Sequence, residues 1–231
     1  MAAMSMPRLA FTDNLFSVME LVKMGVDVRK ATGAFWEQSL SRLFELAIAE
    51  DYEFVLTIDY DTVFKPVDVK HMIRMMVRTP EAAAIFPVQY RREQDQLLLG
   101  VPGCEDGQAS NEIFRNQLVP AELGHFGLTL VRVSALKAIP QPWLWSQPNS
   151  EGRWAEGAMD ADIYFWNKLR ANGLRMFCAS RVVIGHIQQM ITWPGRDYVP
   201  VHQYVTTYMG HGDAPSDVIL AAAERAAAQT A

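Results

Sequence analysis

Short apolar runs alternate with stretches of helical periodicity over the first two-thirds of the chain. The strand candidates of this part are residues 8–12, 26–31, 53–58 and 82–90. Apolar residues spaced three and four apart predict helices over 15–24 and 36–49, and a further helix begins at Pro66. Strands that alternate with helices are typical of an α/β sandwich, so the pattern predicts this fold with a mainly parallel central sheet.

The pattern becomes less regular after residue 90. Predicted strands cover 97–101, 126–133, 174–179 and 181–187, and predicted helices cover 134–139 and 160–172. Residues 141–157 form a long loop, 194–213 look irregular, and the alanine-rich stretch 214–231 predicts a helix or a flexible tail. Since neither an internal repeat nor a clear linker is present, we expect one domain over residues 1–213.

Composition narrows the class of protein. The chain has 231 residues, of which half are hydrophobic and a fifth are charged, so a disordered chain is excluded. A net charge of −5 argues against a nucleic-acid partner, because such proteins usually carry a basic face. Cys104 and Cys178 match no zinc or redox spacing. Without a signal peptide or an apolar run of about 20 residues, the sequence predicts a soluble, cytoplasmic protein with no transmembrane segment.

Two acidic residues follow the apolar run at 53–58 directly. Asp59 and Asp61 are separated by one residue, at the point where this strand ends. Ligands of open α/β sheets bind beyond the carboxyl ends of strands, and carboxylate oxygens suit Mg²⁺ or Mn²⁺. The competing interpretation is a solvated acidic turn that caps the helix beginning at Pro66.

A second acidic pair and a histidine occupy comparable positions. Asp160 and Asp162 open the helix predicted over 160–172, where a carboxylate either caps the helix or accepts a proton from a bound hydroxyl. His186 ends the last predicted apolar strand, and as a neutral imidazole it is a suitable metal ligand. Asp13 or Asn14 is placed to cap the first long helix.

Aromatic residues in the loop 141–157 suggest a surface for a sugar. Indole rings stack well on flat sugar faces, and the alternative is that they fold the loop onto the body of the protein. The sequence also makes His125 and Arg132 candidates for the lining of the site. The loop contains Trp143, Trp145 and Trp154.

The order of these features resembles that of the GT-A glycosyltransferases. An Asp-x-Asp triplet after a central strand is followed by an acidic pair at a helix start and by a strand that ends in histidine. The closest resemblance is to the inverting, family-two-like enzymes of bacteria and phages, and it covers about residues 8–186. It is carried by the segments YEFVLTIDYDTVF, GLTLVRVSAL, DADIYFWNKLRANG and RVVIGHI.

The resemblance implies a Rossmann-like GT-A sandwich and a role for each candidate residue. Asp59 and Asp61, with His186, would hold Mn²⁺ or Mg²⁺ on the diphosphate of a UDP- or GDP-sugar. Counting back from Gly173 places Asp162 on the family's catalytic base, with Asp160 as its helper and Ala161 where the family usually has Glu. The hydroxyl of a carbohydrate or another acceptor would then displace the nucleotide with inversion.

The nucleotide-binding segment of the family is shorter here. Only about residues 6–14 are available for it, and the resemblance assigns donor contacts within this segment to Thr12 and Asp13. Two other functions stay open. A sugar nucleotidyltransferase would show a glycine-rich basic loop after the first strand, and residues 8–14 contain no glycine. A non-catalytic carbohydrate-binding protein of the same fold would lack metal-dependent hydrolysis of a nucleotide sugar.

Overall fold

A computed structural model describes residues 1–6, 10–94, 96–98, 100–102, 104, 115–195, 199–216 and 218. Within it the chain forms two compact units, Met1–Ile187 and Gln188–Ala231. This division falls well before the boundary at residue 213 that the sequence predicted. Most of the predicted tail, namely residue 217 and residues 219–231, lies outside the described part.

A seven-stranded sheet forms the centre of the first unit. In chain order, the strands of this unit are β1 (Ala2–Met6), β2 (Val28–Thr32), β3 (Phe54–Ile58), β4 (Thr62–Val63), β5 (Ala82–Val88), β6 (Leu118–Ala121), β7 (Leu128–Arg132), β8 (Arg175–Val183) and β9 (Gly185–His186). The sheet order is β2-β1-β3-β7-β5-β8-β6, while β4 and β9 pair separately. Five of the seven strands share one direction, because only β7 and β6 pair antiparallel with all their neighbours.

Helices cover both faces of this sheet. They are α1 (Thr12–Lys23), α2 (Trp36–Ala49), α3 (Pro66–Arg78), α4 (Val133–Ala138) and α5 (Ala161–Ala171). Helices α2, α4 and α5 pack on one face around Phe44, Phe165 and Trp166. Helices α1 and α3 pack on the other around Leu21 and Met72. The predicted α/β sandwich with a mainly parallel sheet is confirmed.

The first strand lies where the sequence did not predict one. Of the expected strand over residues 8–12, residues 8 and 9 lie outside the described part, and residues 10–12 do not form a strand, since α1 already begins at Thr12; the first strand is β1, Ala2–Met6. Alanine and methionine are weak strand formers, but Ala2 and Ala3 are fully buried between β2 and β3. Tertiary packing therefore overrides the local preference.

Two other expectations need correction in the first unit. The predicted strands 174–179 and 181–187 are one long strand, β8, followed by the short β9. The predicted strand over 97–101 consists of isolated bridges, from Tyr90 to Leu97 and from Gly100 to Leu123, in the described part of this segment. Gly173 ends the fifth helix with a positive φ of 70°, as predicted.

The second unit is more ordered than the expected irregular stretch 194–213. It contains β10 (Met190–Pro194), its antiparallel partner β11 (Pro200–Tyr204) and helix α6 (Val205–His211). The Trp193 indole nitrogen donates a hydrogen bond to Gln203 Oε1 at 2.9 Å, and its ring lies 5.8 Å from that of Tyr208. These aromatic contacts hold the hairpin to its helix.

Candidate active site

A cavity of about 450 Å³ lies at the carboxyl end of β3, within the first unit. The loops after β3 and β5, the start of α5 and the end of β9 all contribute to its wall. Its charged lining residues include Asp59, Arg92, Asp160, Asp162 and His186. The structure therefore brings to one cavity most of the charged residues that the sequence singled out.

The short β4–β9 ladder connects the acidic triplet to the histidine. Thr62 pairs with His186, and the Ile187 backbone nitrogen donates to the Asp61 carbonyl at 2.7 Å. Each of these strands has only two residues, too few to show an alternating pattern in the sequence. Their pairing nevertheless determines which side chains of the two segments meet. It places the His186 imidazole beside the Asp61 carboxylate.

Asn14 holds the loop that carries both aspartates. Its side-chain nitrogen donates to the Asp59 carbonyl and to the Thr62 carbonyl, at 2.7 Å each. Asn14 is fully buried, so it is not the exposed helix cap that the sequence allowed. The cap position of α1 is occupied by Phe11, whose ring stacks on Tyr60 at 6.1 Å. This clamp fixes the backbone on both sides of Asp61.

Asp61 is buried behind the cavity wall, where it contacts the lining residues Arg92 and His186 without lining the cavity itself. Its Oδ2 atom accepts a hydrogen bond from Arg92 and lies 3.2 Å from His186 Nε2. Its Oδ1 atom is buried without a partner among the described residues. A buried carboxylate oxygen without a donor is costly, so this atom is an available ligand position for a cation.

In the absence of a cation, the local electrostatics favour the charged forms of Asp61 and His186. Burial alone would raise the pKa of Asp61, but the His186 hydrogen bond and the Arg92 charge outweigh it and hold that pKa below its usual value. Burial opposes the charge on His186 as well, yet its bonds to Asp61 and to the Tyr90 carbonyl raise its pKa. Because His186 Nδ1 donates to Tyr90 at 3.0 Å, its Nε2 atom is the one directed at Asp61.

Asp59 has the opposite electrostatic character. Its side chain is half-buried, and burial together with the neighbouring Asp61 charge raises its pKa to about 6. A hydrogen bond from the Trp36 indole and the charges of Arg92 and His186 oppose this rise without cancelling it. Asp59 therefore changes its charge close to neutral pH.

Asp160 and Asp162 both line the cavity from the start of α5. Asp160 occupies the cap position, but its side chain makes no capping hydrogen bond within the described chain. Burial raises the pKa of Asp162, the hydrogen bond from the Ile163 backbone nitrogen at 2.7 Å opposes that rise, and the Asp160 charge adds to it. A half-buried carboxylate with a raised pKa is well suited to accept a proton.

His125 and Arg132 have structural roles. His125 lines the cavity, but its Nε2 atom donates to the Pro87 carbonyl at 2.8 Å and its Nδ1 atom accepts from the Gly127 nitrogen. Burial lowers the pKa of His125 to about 4, so the ring is neutral. Arg132 lies outside the cavity and binds backbone carbonyls around the end of α3, including that of Met76 at 2.9 Å. The expected place of Arg132 in the site is wrong.

Thr12 and Asp13 are exposed and do not line this cavity, so their contact with a donor stays a prediction.

The three tryptophans of the loop 141–157 differ in their exposure. Trp143 is buried against Phe44 and donates to the Leu136 carbonyl at 3.2 Å, so it belongs to the core and not to a sugar surface. Trp145 and Trp154 are exposed.

Several residues of the cavity were missed at the sequence level. Trp36 and Glu37 enter it from the start of α2, and Gln89 and Arg92 enter it from the end of β5. The signal for Arg92 was present, because a basic residue shortly after an apolar strand lies at the same sheet edge as Asp59. Trp36 and Glu37 look like ordinary first-turn residues in the sequence.

The residues present fit a divalent cation only in part. In the described chain, no three His, Cys, Asp or Glu side chains form a complete metal site. Asp61 supplies one unpartnered oxygen, and His186 supplies one nitrogen once its Nε2 proton is lost. Cations of this kind commonly take their remaining ligands from substrate phosphates and water. The donor set therefore suits a cation that arrives with a diphosphate.

Comparisons with known proteins bear on the fold. Neither protein-family models nor curated proteins provide a match to this sequence. Among solved structures, A197 from STIV is similar with a TM-score of 0.58 and 13% sequence identity, over 87% of this chain and 93% of that chain. This likeness shows a shared fold.

Two further solved structures align less closely. GalNAc-T7 with UDP, GalNAc and Mn²⁺ has a TM-score of 0.44 and 11% identity, over 78% of this chain and 36% of that chain. Glucosyl-3-phosphoglycerate synthase from Mycobacterium tuberculosis, in complex with Mn²⁺ and UDP-glucose, has a TM-score of 0.47 and 12% identity, over 90% of each chain.

In the described part of the present chain, the helices are too short or too polar to cross a membrane.

Proposed function

We propose that this protein is a metal-dependent glycosyltransferase that moves a sugar from a UDP- or GDP-sugar to an acceptor hydroxyl. The observation that supports it most is a single cavity that is lined by Asp59, Arg92 and His186 and also by Asp162. Asp61, His186 and Arg92 form a charged group beside Asp59, and Asp162 lines the same cavity with a raised pKa. Diphosphate binding and proton acceptance are the two tasks that this transfer requires.

The first group binds the leaving diphosphate. Asp61 and His186 would hold Mn²⁺ or Mg²⁺, with Asp59 joining once its carboxyl has lost its proton. The cation, when bound, supplies Lewis-acid stabilisation of the negative charge that develops on the diphosphate. Arg92 adds a positive charge that needs no metal. Its contact with Asp61 holds the guanidinium at the cavity wall before any donor arrives.

Asp162 acts on the acceptor. In one displacement, the acceptor oxygen forms a bond with the anomeric carbon of the sugar while the bond from that carbon to the diphosphate oxygen breaks. The acceptor proton passes to Asp162, and the bonding electron pair leaves with the nucleoside diphosphate. A single in-line step inverts the anomeric carbon without a covalent enzyme intermediate. Asp160, beside it at the helix start, keeps the local potential negative.

A donor screen tests this function. UDP, GDP and their hexose conjugates are added with and without Mn²⁺, and both the shift of the melting temperature and the release of nucleoside diphosphate are measured. We expect one base to bind in a Mn²⁺-dependent way and its sugar conjugate to be slowly hydrolysed. Asp61→Asn should abolish both signals. Metal-dependent binding with no hydrolysis or transfer would instead indicate a binding protein, and pyrophosphate release from a nucleoside triphosphate and a sugar phosphate would indicate a nucleotidyltransferase.

A further inference from the structure

A second groove opens beside the cavity, between the start of α2 and the loop that follows α4. It has a volume of about 570 Å³. Glu37 and Ser146 line both spaces, so the groove and the cavity adjoin at these two residues. We call it the side groove, and it is defined by Phe35, Arg42, Glu45 and Trp145 together with the two shared residues.

Two aromatic rings of the side groove are presented to solvent. Phe35 is 57% exposed and Trp145 is 50% exposed. The preceding residues Trp143 and Leu144 are buried in the core, and the Trp143 indole is hydrogen-bonded to the Leu136 carbonyl. The chain therefore anchors the segment immediately before Trp145. Because the backbone at Trp145 is fixed in advance, a ligand that binds there has only the side-chain rotation of this ring to restrict.

Polar groups with spare hydrogen-bonding capacity accompany these rings. Within the described chain, Glu37, Arg42 and Ser146 have neither a hydrogen bond nor an ion pair from their side chains, although all three line the side groove. A carboxylate, a guanidinium and a hydroxyl offer both acceptors and donors. Glu45 is engaged by Gln141 Nε2 at 3.4 Å and retains further acceptor capacity.

We propose that the side groove binds a sugar ring of a carbohydrate acceptor, stacked on Trp145, with its reactive hydroxyl directed past Glu37 and Ser146 towards Asp162. This inference rests on the proposed glycosyltransferase function and adds the class of its acceptor. A pyranose has an apolar face that suits an indole ring and an edge of hydroxyls that suits alternating donors and acceptors. The volume lies within the range of small-molecule sites.

The mixed lining disfavours other acceptors. A lipid chain would leave Glu37, Arg42 and Glu45 desolvated against hydrocarbon, which is unfavourable for charged groups. A folded protein acceptor would require an interface far larger than this groove. A sugar ring can stack its apolar face on the aromatic side chains while its hydroxyls form hydrogen bonds with the charged ones.

The test compares two exposed tryptophans of the same loop. Trp145→Ala removes the proposed stacking ring, and Trp154→Ala removes a ring that is 65% exposed and lines neither space. Transfer to a panel of p-nitrophenyl hexosides and disaccharides is measured relative to donor hydrolysis. We expect Trp145→Ala to lower this ratio by about 3- to 10-fold, the usual worth of an aromatic contact, with partial recovery in Trp145→Phe. Trp154→Ala should keep the wild-type ratio.

A binding measurement separates this inference from the proposed function. Saturation-transfer NMR on the same sugars, without donor, should show contacts on the wild-type protein that Trp145→Ala loses and Trp154→Ala retains. Equal losses in both tryptophan variants, or no saturation transfer on the wild-type protein, would overturn the sugar groove even if nucleotide-sugar hydrolysis is normal. Sugar binding that depends on Trp145 without any hydrolysis would support the groove and contradict the transferase.

Discussion

His186 Nε2 lies 3.2 Å from Asp61 Oδ2, although 125 residues separate the two in sequence. The imidazole is oriented by its second nitrogen, which donates to the Tyr90 carbonyl. A nitrogen oriented by such a second hydrogen bond is a common arrangement around metal sites.

Replacing His186 should weaken metal-dependent donor binding. His186→Ala removes the proposed nitrogen ligand and the contact with Asp61, so we expect apparent Mn²⁺ affinity to fall by at least about 10- to 100-fold, the range for losing a contact that only orients a ligand. Calorimetric titration of Mn²⁺ in the presence of the nucleoside diphosphate measures it. His71→Ala is the control, because His71 is exposed on α3 and lies outside the cavity. Equal affinities for His186→Ala and the wild type would exclude His186 as a ligand.

Replacing Asp162 should reduce the rate of transfer far more than replacing Asp160. Asp162→Asn keeps the shape and removes the proton acceptor, so we expect transfer to fall by about 10²- to 10⁴-fold, the usual contribution of a general base. Donor binding should change much less, and steady-state kinetics with a fixed acceptor distinguish the two quantities. Asp160→Asn is the matched variant two residues earlier, and a larger loss of transfer in that variant would assign the base to Asp160 instead.

Asp59 should make both metal binding and stability depend on pH. Its folded-state pKa of about 6 exceeds its ordinary value, so the folded protein binds the extra proton between roughly pH 4 and 6. The stability that this protonation contributes is present below the unfolded pKa and is lost as the pH rises through the folded one. Mn²⁺ binding, which needs the carboxylate, should accordingly strengthen from pH 5 to pH 7.

The same shift predicts that Asp59→Asn stabilises the metal-free protein. At pH 7.5 the variant lacks a poorly solvated charge, and we expect its melting temperature to rise by a few degrees, since about 1 kcal/mol corresponds to about 2–4 °C at this chain length. The gain should shrink towards pH 4, where the wild-type carboxyl is protonated. A melting series over pH 4–8 measures it, and a gain that does not vary with pH would contradict the assignment.

Asn14 should act by positioning the acidic loop. Asn14→Ala leaves the Asp59 and Thr62 carbonyls without their donor, at a cost of about 1–3 kcal/mol for a buried polar group. We expect a lower melting temperature and a raised donor KM. Asp13→Ala, at the exposed neighbouring position, should leave the melting temperature within about 1 °C, a change expected of surface substitutions. Wild-type donor KM in a folded Asn14→Ala protein would limit Asn14 to stability.

Sequence patterns predicted the helices and strands wherever burial of one face makes apolar residues recur at a regular spacing. The stripe of Leu40, Leu43 and Ala47 gave the second helix its bounds, and the run before Asp59 gave β3. They failed where a neighbour decides the outcome. Ala2 and Ala3 become a strand only because β2 and β3 flank them, and Asn14 becomes a clamp only because the loop after β3 passes over it.

The residues of the candidate site also fall into those that the sequence could predict and those that it could not. Asp59, Asp162 and His186 were predicted because acidic or imidazole groups next to apolar runs are visible in one dimension. Trp143 was misjudged because the sequence of a loop does not distinguish a tryptophan that fills the core from one that faces solvent. Glu37 was missed because its place in the cavity depends on where the start of α2 meets a loop that is distant in sequence.

The reversed direction of β7 gives the cavity its back wall. Since β7 runs against β3 and β5, the loop that enters it arrives at the edge where those strands finish. Residues 125–127 therefore reach the cavity, and the Gly127 carbonyl accepts a hydrogen bond from the Asp59 nitrogen at 3.0 Å. A side chain at Gly127 would place its Cβ 2.3 Å from Gln89 Oε1. The direction of one strand thus brings a glycine peptide against Asp59, at a point where any larger residue would have to displace the Gln89 side chain.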